Sequence, residues 1–244
     1  MKSPAVVLEN ADDVYAYYLD HQQNRLRAKA AYAYLARKYR PRVRYAPGAE
    51  DAIRDLVASN TRLIVSIDHL TQDDPYTVAA TAWRSPLRPM IGRTRVLAKD
   101  ELFVDEKQRK KVDMMGGIPV FRGKNHGIRA VNAAGQTMMD LCAQRLLRGD
   151  NLAVFPEGTC NLVDPTRVQA VGSGIGHITS RAKKLGVAPV LIFIGLSYGP
   201  GATTTQPSVY FDSPVADVPD RPGDITRLVH ARMQNALDGA VAAY

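Results

Sequence analysis

Cysteine is scarce in this chain, which has only Cys142 and Cys160 among its 244 residues. Two cysteines are too few for a disulfide framework, and neither they nor the histidines have the spacing of a metal site. We therefore expect a protein of a reducing compartment, the cytoplasm, with no bound metal.

Long apolar runs are also missing. The longest apolar segment, residues 188–196, is far shorter than the roughly 18 residues that suggest a transmembrane helix. The first residues contain only a very short apolar stretch, so we expect no signal peptide. The chain is expected not to cross a bilayer, although it can lie on one.

Several common motifs are absent as well. The glycine-rich stretch 172–176 matches neither a P-loop nor a dinucleotide-binding fingerprint. Ser173 does not lie in a Gly-x-Ser-x-Gly turn, because position 171 is Val. Nucleotide-binding folds of these types and serine hydrolases are therefore disfavoured.

Acidic residues are outnumbered by basic ones, 24 to 32, which leaves a net charge of +8. A positive field favours anionic partners such as nucleic acid, acidic lipid head groups or an acidic carrier protein. Between Asp20 and Tyr45 only Asp20 is acidic, and eight residues are basic: Arg25, Arg27, Lys29, Arg37, Lys38, Arg40, Arg42 and Arg44.

The same N-terminal part predicts one long helix over residues 13–39, since its interior lacks Gly and Pro and Pro41 follows it. Seven of the eleven tyrosines lie within the first 45 residues. Tyrosine mixed with basic residues suits a membrane–water interface, and a helix packed on the domain is an equally good interpretation. We predict that residues 1–47 form a basic helical appendage and a candidate membrane-docking segment.

Residues 48–244 alternate between strand and helix patterns. This alternation predicts an α/β domain with a mostly parallel central sheet flanked by helices. The predicted strands are residues 62–67, 95–98, 118–121, 151–155, 189–196 and 208–211. The predicted helices are residues 49–59, 76–83, 128–147, 175–184 and 225–237.

A histidine with a nearby carboxylate follows the first of these strands. His69 precedes Asp74 by five positions, and such a carboxylate can orient an imidazole that acts as a general base. Asp74 also stands before Pro75, where an aspartate commonly caps a helix. Taken alone, the spacing favours this simpler interpretation.

Two further candidate site segments lie at the ends of predicted strands. Glu157 and Gly158 place a carboxylate and a flexible backbone at the edge where open α/β sheets bind ligands. Arg122 ends another strand and could bind a phosphate through two hydrogen bonds. An ordinary turn and a surface arginine are the simpler alternatives.

In this order the segments resemble the glycerolipid acyltransferases, the superfamily of 1-acylglycerol-3-phosphate and glycerol-3-phosphate acyltransferases. The resemblance extends over about residues 55–215. The blocks that match are His69 with Asp74; Gly117, Phe121 and Arg122; Phe155 to Thr159; and residues 188–190 in an apolar strand.

The resemblance implies transfer of a fatty acyl group from acyl-CoA or an acyl carrier protein to a hydroxyl of a lysophospholipid such as 1-acylglycerol-3-phosphate. His69 would be the general base, oriented by Asp74, with no cofactor and no need for a covalent acyl-enzyme. The implied substrate-binding residues are Gly117, Phe121, Arg122, Glu157, Gly158 and Thr159. An anionic membrane surface is an expected partner, with the protein peripheral on the cytoplasmic face, and nucleic acid is not.

One departure from the family pattern concerns the acceptor. The third block usually continues with Arg and Ser, where this chain has Cys160 and Asn161. That Arg normally helps to hold the acceptor's phosphate, and Arg122 and Arg167 are candidate replacements. The alternatives left open are a lysolipid without phosphate as acceptor, a thioesterase, a catalytically weak lipid-binding protein and a nucleic-acid-binding protein.

Overall fold

The sheet of this protein is seen in a computed structural model that describes residues 3–123, 126, 128–199 and 206–244. Its strands are β1 Arg42–Tyr45, β2 Leu63–Ile67, β3 Thr94–Lys99, β4 Gly117–Val120, β5 Asn151–Val154, β6 Val190–Ser197 and β7 Ser208–Phe211. They form one seven-stranded sheet in the order β1-β7-β6-β2-β5-β3-β4.

Neighbouring strands are parallel except β6 and β7, which confirms the predicted fold class. Strands β2 to β6 all run in the same direction. The residues that follow β2, β3, β4 and β5 therefore lie along one edge, which we call the carboxyl edge. The residues that precede these strands lie along the opposite amino edge.

Helices cover both faces of the sheet. They are α1 Ala11–Asp20, α2 Arg25–Tyr39, α3 Ala49–Ala58, α4 Asp74–Arg84, α5 Glu106–Met114, α6 Ile128–Leu147, α7 Gly174–Lys184 and α8 Pro222–Ala242. One face packs against α1, α6, α7 and α8, and the other packs against α3 and α4. Helix α2 lies outside α4.

Strand β2 shows why the sequence folds this way. All five of its residues are buried, as expected for a central strand covered on both faces. Ile64 joins the core on the α6 side, whereas Leu63 and Val65 join the core on the α3 side. The strand is therefore held by the cores on both faces of the sheet, and the residues of the candidate site follow its end.

The single helix predicted over residues 13–39 is wrong. Helix α1 ends at Asp20 and α2 begins at Arg25, because the chain becomes extended at His21 and Asn24 starts a new helix. The Asn24 side chain accepts a hydrogen bond of 3.0 Å from the Arg27 backbone N–H, an N-cap that the basic residues around it obscured. Strand β1 and helix α5 were not predicted either.

The N-terminal tyrosines mostly pack inward. Tyr15, Tyr18, Tyr32 and Tyr39 are all buried, whereas Tyr34 is 67% exposed. The basic residues of α2 are exposed at its surface. In the part of the chain that is described, no helix combines the length and the apolar character needed to cross a bilayer.

Candidate active site

His69 lies two residues beyond the end of β2, at the carboxyl edge of the sheet. Its Nδ1 is 2.8 Å from Asp74 Oδ2, and its ring packs on Phe155 with the ring centroids 4.5 Å apart. The imidazole is 17% exposed, so it is held from two sides yet open to solvent. The structure thus brings His69 and Asp74 together, as the sequence predicts.

Asp74 is fully buried and surrounded by donors. Its Oδ2 also accepts hydrogen bonds from the backbone N–H groups of Leu70 and Thr71, at 2.6 and 2.8 Å. Its Oδ1 accepts from the hydroxyls of Thr71 and Tyr198, at 3.0 and 2.6 Å. The interpretation of Asp74 as a helix cap is wrong, because Asp73 is the N-cap residue and no side-chain capping bond forms.

These bonds determine the tautomer of the histidine. Asp74 Oδ2 is an acceptor for two backbone N–H groups, so His69 Nδ1 is its third donor. The lone pair of the neutral ring is then on Nε2. Burial and the nearby Asp74 carboxylate raise the pKa of Tyr198, which keeps its hydroxyl a neutral donor.

Glu157 holds the backbone of His69 in place. Its Oε1 accepts a 2.8 Å hydrogen bond from the His69 N–H, and its Oε2 accepts from the backbone and side chain of Gln169, at 2.9 and 3.2 Å. The Asn161 N–H donates to the His69 carbonyl at 2.6 Å. Residues on both sides of Cys160 therefore fix the histidine, and the Glu157 carboxylate is occupied by the protein itself.

Cys160 is the residue whose position the sequence did not reveal. Its Sγ lies 3.5 Å from His69 Nε2 and 3.9 Å from His69 Nδ1, so it is at a similar distance from both ring nitrogens. The side chain is partly buried, and burial, reinforced by the Asp74 charge, raises the pKa of the Cys160 thiol. In the sequence, Cys160 is recognisable only as the residue in the place of the usual arginine.

A second carboxylate beside the histidine is buried in a different way. Asp68 Oδ1 accepts a 2.7 Å hydrogen bond from the Leu196 N–H and so links β2 to β6. Among the residues described, its Oδ2 has no hydrogen-bond partner. Burial raises the pKa of Asp68 well above its usual range, and the Asp74 and Glu157 charges add to the effect.

Two further residues of the predicted site, Gly158 and Thr159, lie at the surface of the loop after β5. Gly158 has a φ of +71°, a backbone conformation that favours glycine, although nothing lies within 4 Å of where a Cβ would be. Thr159 is exposed, and its carbonyl accepts a hydrogen bond from the Gln169 side chain. The turn conformation, and not a crowded approach, requires glycine here.

The second motif block lies farther from His69. Arg122 follows β4 at the carboxyl edge, three strand spacings or about 14 Å from β2, and it forms an ion pair with Glu101. Phe121 is buried with its ring against Tyr15. Gly117 is at the other end of β4, where a Cβ would lie 2.2 Å from Val112 Cγ1, so its role is in packing.

The described residues contain no group of three His, Cys, Asp or Glu side chains that could hold a metal ion. A cavity of about 890 Å³ lies between α2, α3 and the end of α4, and we call it the arginine groove because it is lined by Arg37, Arg40, Arg54, Arg84 and Arg88.

The fold and this site define a class of protein. A parallel sheet presents at its carboxyl edge an imidazole oriented by a buried carboxylate, an arrangement suited to removing a proton from a hydroxyl or thiol. The family model described as Acyltransferase matches residues 48–193, more than half of the chain. The chain therefore belongs to the glycerolipid acyltransferase family, as the motifs predict. No curated protein matches it.

Proposed function

We propose that this acyltransferase moves a fatty acyl group from an acyl thioester to a hydroxyl of a lysolipid, with His69 as general base. The observation that carries the proposal is the 2.8 Å bond between His69 Nδ1 and Asp74, which leaves Nε2 as the proton acceptor of a partly exposed ring. Family membership supports the acyl-transfer chemistry.

In this proposal one atom, His69 Nε2, accepts and returns the proton. An alcohol is a poor nucleophile at neutral pH, so His69 Nε2 takes its proton as the oxygen attacks the thioester carbonyl. Asp74 stabilises the imidazolium that forms. The tetrahedral intermediate then expels the thiolate, which receives the proton from His69.

For the acceptor, we infer a positioning role for Glu157 and a place at the rim of the site for Gly158 and Thr159. Glu157 supports His69 through its backbone, and Thr159 is exposed beside it. A lysophospholipid such as 1-acylglycerol-3-phosphate would have to draw Arg122 away from Glu101. That ion pair, together with Cys160 in the place of the usual arginine, favours a lysolipid without phosphate as the alternative acceptor.

An apolar pair beside the site supports contact with a lipid surface. Leu162 and Val163 are 86% and 93% exposed on the loop that begins at Asn161. The Asn161 side chain accepts hydrogen bonds from the Val163 and Asp164 N–H groups, and so it holds this loop in shape. Two large exposed apolar side chains next to a site for an amphiphile suit the interfacial zone of a bilayer.

The arginine groove supports anionic partners. Arg37, Arg40, Arg84 and Arg88 form no ion pair with any acid in the described part of the chain. Anionic head groups and the two anionic donors, acyl-CoA and acyl carrier protein, fit such a surface. We propose an anionic membrane as the partner there, and no nucleic acid.

One assay tests the function. Purified protein is incubated with labelled acyl-CoA or acyl carrier protein and a panel of acceptors: lysophosphatidic acid, glycerol 3-phosphate, monoacylglycerol and none. Mass spectrometry of the products should show one acylated lysolipid. The His69→Ala variant should lose about 10²- to 10⁴-fold in rate while keeping its thermal transition.

Three results would contradict the proposal. Unchanged turnover by His69→Ala would show that His69 is not the general base. Release of free fatty acid alone would indicate a thioesterase. Salt-sensitive retention on DNA without turnover of any thioester would favour a nucleic-acid-binding protein.

A further inference from the structure

A second basic cavity lies at the amino edge of the sheet, and we call it the amino-edge pocket. Its volume is about 320 Å³, at the lower end of the roughly 300–1,000 Å³ range of small-molecule sites. All its lining residues are polar or glycine, and the charged ones are five arginines and one carboxylate: Arg25, Arg62, Arg93, Arg145, Arg148 and Asp150.

This pocket is separate from the candidate active site. Arg62 directly precedes β2, whereas His69 follows the same strand at the carboxyl edge. Five strand residues at roughly 3.3 Å each place the two about 16 Å or more apart. A ligand in the amino-edge pocket would therefore not touch the reacting atoms.

The acidic groups at the pocket are already occupied by other cations. Asp150 forms ion pairs with both Arg95 and Arg145. Asp20, just outside, forms an ion pair with Arg148 at 2.7 Å. The carboxylates near the pocket therefore balance its two remaining walls only in part.

Three arginines of the lining have no acidic partner. Among the residues that the structure describes, Arg25, Arg62 and Arg93 form no ion pair. Guanidinium groups stay charged at any ordinary pH, so three positive charges line one cavity without a counter-ion. Like charges held close together repel, and an anion between them removes the repulsion.

One residue orients two of these arginines. Asn60, in the turn before β2, has a φ of +57°, a conformation that asparagine tolerates. Its carbonyl accepts a 2.6 Å hydrogen bond from Arg62 Nη1, and its Oδ1 accepts one of 3.3 Å from Arg93 Nη1. Each guanidinium uses one nitrogen in this way and keeps further N–H groups for a ligand.

The floor between the strands is open. Gly149 precedes β5, the strand that lies between β2 and β3. A Cβ at Gly149 would lie 3.8 Å from Arg62 Nη2, so the missing side chain leaves space beside that guanidinium.

Arg25 enters the pocket from an unfavourable place for a cation, the first turn of α2. The N-terminal end of a helix carries a partial positive charge, and α2 has no acidic residue in its first turn. An anion in the pocket would compensate both the helix end and Arg25.

We propose that the amino-edge pocket binds a small soluble polyphosphate, either free or as the phosphate chain of a nucleotide. Several linked phosphates fit better than one, because the unpaired arginines come from three separate segments: the start of α2 and the turns before β2 and β3. Arginine binds phosphate oxygens through two parallel hydrogen bonds. The lining offers no apolar side chain for an acyl chain or a base to pack on.

The test is isothermal titration calorimetry of the full chain, without any acyl substrate, using inorganic triphosphate, diphosphate, phosphate and ATP. We expect one triphosphate site per chain, with single phosphate bound at least about tenfold more weakly because it meets fewer arginines. ATP should bind about as tightly as triphosphate. Saturating triphosphate should also raise the thermal transition, since it binds the folded chain.

Variants locate the site. Arg62→Gln and Arg93→Gln should each weaken triphosphate binding by about 10- to 100-fold, the value of a hydrogen bond to a charged group. Arg27→Gln is the matched control, because Arg27 is exposed on the same first turn of α2 but does not line the pocket. It should change binding by no more than about twofold, since only a screened charge is lost. If Arg62→Gln does not fold, Arg93→Gln decides.

Several results would overturn the inference. They are the absence of saturable triphosphate binding, equal affinity for phosphate and triphosphate, and equal weakening by Arg27→Gln and Arg62→Gln. Weakening by Arg37→Gln alone would place the anion in the arginine groove instead. Binding to anionic vesicles but to no soluble polyphosphate would also overturn it. None of these results bears on acyl transfer, because the titration contains no donor and no acceptor.

Discussion

Asp74 is fully buried and Asp150 is partly buried, and the two aspartates lie at opposite edges of the sheet and hold different kinds of partner. At the carboxyl edge, Asp74 accepts from backbone N–H groups, two hydroxyls and the imidazole of His69. At the amino edge, Asp150 accepts from the guanidinium groups of Arg95 and Arg145, at 2.7 and 2.6 Å.

The partners explain what each carboxylate can do. The arginines stay charged, and they also donate to the carbonyls of His21 and Leu19, so Asp150 ties the end of α1 to the start of β5. Asp74 instead faces a group that can take up and release a proton. A carboxylate paired with fixed cations is structural, whereas one that orients a titratable ring can serve chemistry.

The largest effect is expected for Asp74→Asn. An amide cannot accept all five hydrogen bonds and does not stabilise an imidazolium, so we expect a loss of about 10⁴-fold in acyl transfer. Stability should also fall, by about 2–4 kcal/mol, since bonds to a charged group are lost. Initial rates and urea unfolding measure the two effects, and normal turnover by the folded variant would remove Asp74 from the mechanism.

Asp150→Asn should separate stability from activity. Two guanidinium groups would remain buried without their carboxylate, which we expect to cost about 3–5 kcal/mol in the free energy of unfolding. The folded fraction should still turn over at the wild-type rate per molecule. A variant that is stable yet inactive would show that the amino edge takes part in the chemistry.

The exposed apolar residues of the two edges provide a third comparison. The double variant Leu162→Glu, Val163→Glu should bind anionic vesicles roughly tenfold more weakly, because two apolar contacts with the bilayer are lost. Leu147→Glu is the control, since Leu147 is 53% exposed where α6 ends near the amino edge. Vesicle sedimentation compares them, and equal weakening by both changes would contradict docking at the carboxyl edge.

Asp68→Asn should have the smallest effect. Burial raises the pKa of Asp68 in the folded state. As the pH rises from about 4, the unfolded chain therefore loses the proton at this site while the folded chain still holds it. The free energy of unfolding therefore falls as the pH rises from the pKa of Asp68 in the unfolded chain to its raised pKa in the folded protein. The Asn variant should gain on the order of 1 kcal/mol at neutral pH and lose this dependence. Thermal melting across pH 4–8 tests this, and an unchanged pH profile would show that Asp68 is not the cause.

Much of the fold was predictable because its patterns are local. Strand β7 and helix α6 begin and end where predicted, and the other predicted strands agree to within about a residue or two at each end. The elements that were not predicted carry little apolar pattern. Strand β1 alternates Arg with Val and Tyr at the sheet edge, and α5 is mostly charged.

For the candidate site, the pairing of His69 with Asp74 could be predicted because both residues follow the same strand. The contact between His69 and Cys160 was not, since it joins residues 91 positions apart on the loops after β2 and β5. Likewise, the sequence predicted Glu157 at the correct edge but not its use as a support for the His69 backbone.

By itself, the sequence determined most of the strands and helices after residue 48, that acyl-transfer motifs follow the strands in order, and that the chain is basic. Only the tertiary structure decided what the motif residues touch. Parallel pairing of β2 with β5 brings His69, Glu157 and Cys160 together, and the contacts of the buried Asp74 make it the anchor of the imidazole and exclude the alternative of a helix cap. Such contacts depend on strand order and register, which no local pattern encodes.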